Sequence, residues 1–168
     1  MSTDRQEIIE FLVDHYEHPR HRGALPDPDI HLTGGNPGCA DVVEIYAKVG
    51  ADGTLEDVAF EGSGCTISMA AASYVTEMVR GMTLEQVDEL NTETLIDELG
   101  REVVMTRPTC ATVALGTLKQ GVHEFRMRRL ADAAYHRASP ASQAGANGNA
   151  ADAADRPARP EGQTEHAG

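Results

Sequence analysis

Val42-Val43-Glu44-Ile45-Tyr46-Ala47-Lys48-Val49, followed by Gly50-Ala51-Asp52-Gly53 and then Thr54-Leu55-Glu56-Asp57-Val58-Ala59-Phe60-Glu61, is the run that decides the fold class. Its first part is β-branched and aromatic enough for a strand. Asp52-Gly53 supplies a tight turn, and the return strand carries Leu55, Val58 and Phe60. Leu55 and Val58 are three apart instead of two, which predicts a bulge between them. Upstream, Ile30-His31-Leu32 offers a third strand. Downstream, after Gly62-Ser63-Gly64, the period changes to 3.6: Ile67, Ala70, Ala71, Tyr74, Val75 and Met78 mark a helix that Gly81 ends.

Helices occupy the rest. Residues 3–17 read as amphipathic, with Ile8, Leu12 and Tyr16 on one stripe, Ile9 and Val13 beside it, and Pro19 as the stop. Thr83 caps a short helix through Leu84, Val87 and Leu90, and Thr92 caps another through Leu95, Ile96 and Leu99. Cys110 to Leu130 repeats the helical spacing, with His123 placed to cap its end. Strands precede most of the helices without βαβ alternation. The expected class is therefore α+β, a small antiparallel sheet of about three strands with helices packed against it.

The domain is expected to end near Tyr135. From His136 to Gly168 there is no Val, Ile, Leu, Met, Phe, Tyr or Cys. This Ala/Gly/Pro-rich stretch is expected to be a disordered tail, because it has too little apolar surface to offset the entropy of ordering. The net charge is -13, and the tail's three arginines and four carboxylates leave nearly all of it on residues 1–135. No nucleic-acid partner is expected on that ground. Between Met82 and Met105, seven carboxylates stand against Arg101 alone, which reads as a solvated helical face, with a docking face for a basic partner as the alternative. No signal peptide or membrane span is legible, and three cysteines are too few and too odd for a disulfide framework. A cytoplasmic protein with reduced thiols is expected.

All three cysteines stand where a loop meets an element. Cys39 lies in Gly34-Gly35-Asn36-Pro37-Gly38-Cys39-Ala40-Asp41; with extended backbone there, Cys39 and Asp41 point the same way. Cys65 and Cys110 each open a helix, where free amides favour a thiolate, and Arg107 stands three residues before Cys110. Three inert buried cysteines would sit on apolar faces instead. Three thiolates and one carboxylate suit a tetrahedral Zn²⁺ or an iron–sulfur cluster, and no Cys-x-x-Cys knuckle marks a zinc ribbon. His15, His18 and His21 read as a solvated cluster, and His31 as a candidate for lining the pocket.

At these residues the chain resembles the U-type iron–sulfur assembly proteins, the family of IscU, SufU and the N-terminal domain of NifU. Asp14-His15-Tyr16-Glu17-His18-Pro19-Arg20-His21-Arg22-Gly23 is similar to the family's D-H-Y-x-x-P-R-x-x-G. Asn36-Pro37-Gly38-Cys39-Ala40-Asp41 resembles N-P-x-C-G-D. Phe60-Glu61-Gly62-Ser63-Gly64-Cys65-Thr66-Ile67-Ser68-Met69-Ala70 resembles F-x-G-x-G-C-x-I-S-x-A, and Arg107-Pro108-Thr109-Cys110-Ala111 the closing R-x-x-C-A. The resemblance implies that Cys39, Asp41, Cys65 and Cys110 bind Zn²⁺, iron or a nascent [2Fe–2S] cluster. It also implies that Cys39 accepts sulfur from a cysteine desulfurase, and that apo iron–sulfur proteins or cluster carriers receive the product. Thr109 replaces the His that the IscU branch has before its last Cys, and the Leu-Pro-Pro-Val-Lys segment is missing, which leans toward SufU. Only 44 residues separate Cys65 from Cys110, without the insertion usual in SufU.

Three functions follow. The first is a scaffold that builds and releases a [2Fe–2S] unit. The second is a Zn²⁺-dependent sulfurtransferase, and the third an interaction domain with structural zinc.

Overall fold

The return strand of the hairpin closes on its partner as the turn residues require: the Gly50 amide donates to the Thr54 carbonyl at 2.8 Å, and Gly53 takes a φ of 82°. The structure is a computed structural model, described here for residues 2–138; the remainder of the Ala/Gly/Pro-rich tail lies outside the described residues. In chain order come α1 (Ser2–Glu17), β1 (Ile30–Asn36), β2 (Asp41–Val49), β3 (Leu55–Ser63), α2 (Thr66–Val79), α3 (Leu84–Glu89), α4 (Thr92–Glu98), α5 (Arg101–Val104) and α6 (Pro108–Ala138). The three strands pair antiparallel in the order β1-β2-β3. Residues up to Asp132 form one unit; of the second, beginning at Ala133, the described part is the end of α6.

The register explains the spacing of Leu55 and Val58. Val49 pairs with Leu55 and Lys48 with Asp57, so Glu56 is the extra residue of a bulge and both apolar neighbours turn inward. Val43, Ile45, Ala47, Val58 and Phe60 fill one face of the sheet. Each of the larger ones contributes about 1.5–3 kcal/mol by leaving water. His31, Glu44, Tyr46 and Glu61 occupy the other face, where the His31 ring stacks on Tyr46 at 4.5 Å and the Tyr46 hydroxyl donates to both glutamates. His31 is thus a sheet-face residue and lines no cysteine pocket. Its expected role fails because its strand position points it outward.

Helix α2 lies between α1 and β3. It is buried on nearly every side, Ser68, Ser73 and Thr76 included, while Ile67, Tyr74 and Met78 are only partly covered. The small side chains of Ala70, Ala71, Ala72 and Ser73 permit that close packing. On α1 the covered face is Ile8, Phe11, Leu12 and His15, whereas Ile9, Val13 and Tyr16 are exposed. Ile8 and Leu12 lie on the expected stripe, but Phe11 and His15 complete it in place of Tyr16. Asn91, not Thr92, caps α4, while Thr83 caps α3 in a full capping box with Gln86. Helix α6 runs on to Ala138, which leaves His123 in its interior and not at its end.

His15 is 3% exposed, with Nδ1 2.8 Å from Ser73 Oγ and its ring edge-on to Phe11 and Tyr74. Burial first, and then the Arg20 charge, hold its pKa below the ordinary 6.5, with Glu77 and Asp14 acting the other way. As pH falls, the unfolded chain therefore takes up this proton before the folded one. Stability is full above about pH 6.5 and declines below it until the folded pKa is reached. His15→Gln, which retains an acceptor for Ser73, should flatten the fall in melting temperature between about pH 7.5 and pH 5.5. A steeper acid decline in the variant would contradict this origin.

Helix α6 meets β1 through glycine. A Cβ on Gly34 would lie 1.8 Å from Thr117 Oγ1, and one on Gly121 would lie 2.6 Å from Ile30. Gly34→Ala should therefore lower stability by about 1–3 kcal/mol, because the strand and helix must separate. An unchanged thermal melt would show that the two can move apart freely.

Candidate metal centre

The Asn36–Asp41 connection, the end of β3 and the start of α6 meet at one end of the sheet. Asn36 pairs with Asp41, and Val42 pairs with Ser63, so the register alone sets the Cys39 loop beside the loop of Cys65. Residues 37–40 form a turn, not the extended backbone expected. Ala40 sits at φ 54°, a left-handed conformation in which a Cβ is strained. Turn closure, with the Cys39 amide on the Asn36 carbonyl at 3.1 Å, brings Cys39 back over Asp41. Cys39 and Asp41 do converge, through a turn and not through strand alternation.

Cys65 is the N-cap of α2, and its Sγ accepts the Ser68 amide at 3.5 Å. Gly62 before it has φ 149°, and a Cβ there would meet the Val42 carbonyl oxygen at 2.1 Å. A Cβ on Gly64 would lie 2.5 Å from both Asp41 Oδ1 and Ser68 Oγ. Only glycine at these two positions lets the loop close over the carboxylate.

Cys39, Asp41 and Cys110 place their ligand atoms within 4.8 Å of one another, and the Cys65 Sγ falls outside that set. The Cys110 thiol donates to Cys39 Sγ at 3.1 Å, and the Asn36 side-chain amide donates to Cys110 Sγ at 3.5 Å. Cys110 is buried, whereas Cys39 and Cys65 are half-buried. Burial, then the neighbouring Asp41 carboxylate and the other two cysteines, push the Cys110 thiol up. That reverses the expectation of a helix-favoured thiolate there: desolvation outweighs the helix end. Arg107 also goes elsewhere than expected, its guanidinium pointing at Cys39 Sγ, 3.7 Å away.

Asp41 is 1% exposed. Oδ1 accepts the Cys65 amide at 2.9 Å and the Ser68 hydroxyl at 3.0 Å, and Oδ2 is buried with no hydrogen-bond partner. Burial pushes its pKa up, but the Cys110 thiol, the Cys65 amide and the Ser68 hydroxyl outweigh it, with Arg107 adding to them, and hold the carboxyl below its usual range. An orphan carboxylate oxygen is costly unless something binds it. Beside soft sulfur donors, it fits a metal ion or cluster iron. Ser68 and Asn36 support this centre, and the cysteine pattern alone did not single them out. The signal for both was their place inside the quoted motifs. His15, His18 and His21 take no part: His15 is in the core, His18 is exposed, and His21 lies in the segment whose carbonyl pairs with Phe60.

A three-stranded antiparallel sheet covered on one face by helices, with one cysteine–aspartate centre at its end, defines the class of protein. The family model for the NifU-like N terminal domain matches residues 7–132. The "Iron sulfur cluster assembly protein 1, mitochondrial" of Schizosaccharomyces pombe is 38% identical over 132 residues, covering 77% of this chain and 68% of that protein. The "Iron-sulfur cluster assembly scaffold protein IscU" of Haemophilus influenzae is 32% identical over 123 residues, covering 71% and 96%. Among solved structures, the N-terminal NifU-like protein of Brucella abortus aligns with TM-score 0.61 at 17% identity over 70% of this chain and 93% of its own. The SufU of Fervidobacterium islandicum aligns with TM-score 0.56 at 23% identity over 67% and 94%. The chain belongs to the NifU-like N terminal domain family. No helix among the described residues is long and apolar enough to cross a membrane.

Proposed function

We propose that this chain is an iron–sulfur cluster assembly scaffold whose cargo is held by Cys39, Cys65, Cys110 and Asp41. The observation that carries the reading is the convergence of two thiols on a buried, half-satisfied carboxylate, in a chain whose curated relatives carry that scaffold name. Cys65 stands beside this group, its backbone amide donating to Asp41 Oδ1. Cys39 is the acceptor of sulfur from a cysteine desulfurase. It lies on a turn, is half-buried, and has the Arg107 charge beside its sulfur. The sulfur reaches Cys39 as a persulfide. Two electrons from an external thiol or ferredoxin-type donor reduce it to sulfide and restore the Cys39 thiol. The sulfide gathers with iron at the centre, and apo iron–sulfur proteins or carriers take the product.

Zn²⁺-dependent sulfur transfer is the second reading, favoured by the same accessible Cys39 and by a donor set that suits tetrahedral zinc equally well. Anaerobic reconstitution with ferrous iron, cysteine, a desulfurase and a thiol reductant separates the two. The scaffold reading expects a visible [2Fe–2S] spectrum that an apo-ferredoxin can discharge. Bound zinc with desulfurase stimulation and no cluster would replace it with the transferase.

A further inference from the structure

Of the two oxygens of Asp41, only Oδ2 is free, and the side chain that holds the other belongs to Ser68. Ser68 is wholly buried, one turn into α2 from Cys65. Its hydroxyl lies 3.0 Å from Asp41 Oδ1 and 2.9 Å from the Cys65 carbonyl. Its backbone amide donates to Cys65 Sγ. One residue thus grips both the carboxylate and a cysteine. The Cys65 amide reinforces the hold on Oδ1. Gly64 packs against the same pair: a Cβ there would lie 2.5 Å from both Asp41 Oδ1 and Ser68 Oγ, so only a bare backbone fits beside them.

We propose that Ser68 sets the coordination number of the centre: by holding Oδ1, it presents Oδ2 as a single oxygen donor. This rests on the reading of Cys39, Asp41, Cys65 and Cys110 as one set. A carboxylate ligates through one oxygen or two, and the two modes select different ions. Three sulfurs and one oxygen make a four-coordinate, mostly soft site, suited to zinc or to iron bound by thiolate. Two oxygens raise the count to five and harden the site toward ions such as Mn²⁺. Ser68 reaches no metal itself. It is a positioning residue, and its effect is on selectivity more than on capture, because the thiolates supply most of the affinity.

Co²⁺ bound to the full chain under anaerobic conditions is a suitable probe. Its sulfur-to-metal charge-transfer band reports the thiolates, and its visible ligand-field bands are intense in tetrahedral sites and weak at higher coordination. Ser68→Ala should keep the charge-transfer band, lose about half or more of the ligand-field intensity, and let Mn²⁺ compete about tenfold better. Ser68→Thr, which restores the hydroxyl, should return both to the parent values. An unchanged spectrum and competition in Ser68→Ala would overturn the proposal, leaving Ser68 a helix residue only. Loss of the charge-transfer band together with the ligand-field bands would overturn it too, because the site itself would have collapsed. A Thr variant that melts like the parent but behaves like Ala would count against it as well. If the parent protein itself gave no sulfur–cobalt band, the common site would be wrong, and the proposal would fall with it.

Discussion

Asp41→Ala protein is expected to hold a reconstituted [2Fe–2S] cargo at least as long as the parent and to pass it to an apo-ferredoxin about tenfold more slowly. The reason is ligand softness. A carboxylate binds cluster iron less firmly than a thiolate, so its corner is where a recipient thiol enters first. The geometry of Asp41 suits such a role. Oδ1 is fastened by the Cys65 amide and the Ser68 hydroxyl, so the group stays in place whether or not Oδ2 is engaged. Removing it leaves three thiolates, and a small external thiol can complete the set, giving a tighter four-sulfur cluster. Transfer kinetics followed by the cluster absorbance decide the matter. Faster discharge from the variant would eliminate the release role, because the carboxylate would then be retaining the cargo.

The second large effect concerns the cysteines. Replacing any one of Cys39, Cys65 or Cys110 with Ser should lower bound metal severalfold and abolish most of the thermal stabilisation that metal provides, since ligand binding and folding free energy are linked here. The metal-free proteins should differ less, with Cys110→Ser the most affected because that thiol is the buried one. Metal analysis and paired melts with and without metal check both halves. Intact zinc or iron in two of the three variants would dissolve the common centre, and Cys65 is the instructive case. Its sulfur stands outside the close group as a helix cap, so a Cys65→Ser protein that keeps full metal content would reduce the set to Cys39, Asp41 and Cys110.

Much of this protein was determined by local sequence. The alternation of Val43, Ile45 and Ala47, the Asp52-Gly53 turn and the three-residue step from Leu55 to Val58 dictate the hairpin and its bulge, because each depends only on residues that are neighbours in the chain or across a tight turn. The glycines of 62–64 and the cysteines at loop junctions were legible for the same reason, and so were the candidate ligands Cys39, Asp41, Cys65 and Cys110. Tertiary structure alone decided which thiols meet. Cys39 and Cys110 are 71 residues apart, and their sulfurs meet at 3.1 Å in a fold that packs α6 closely on β1 at Gly34 and Gly121. It also drew His15 into the core, since a histidine reads as polar until Ser73 of another helix offers its side chain a partner. And it reversed the charge state expected of Cys110. The helix end that favours a thiolate is local, but the burial that outweighs it belongs to the whole packed domain, as does the pairing that satisfies one oxygen of Asp41 and leaves the other without a partner.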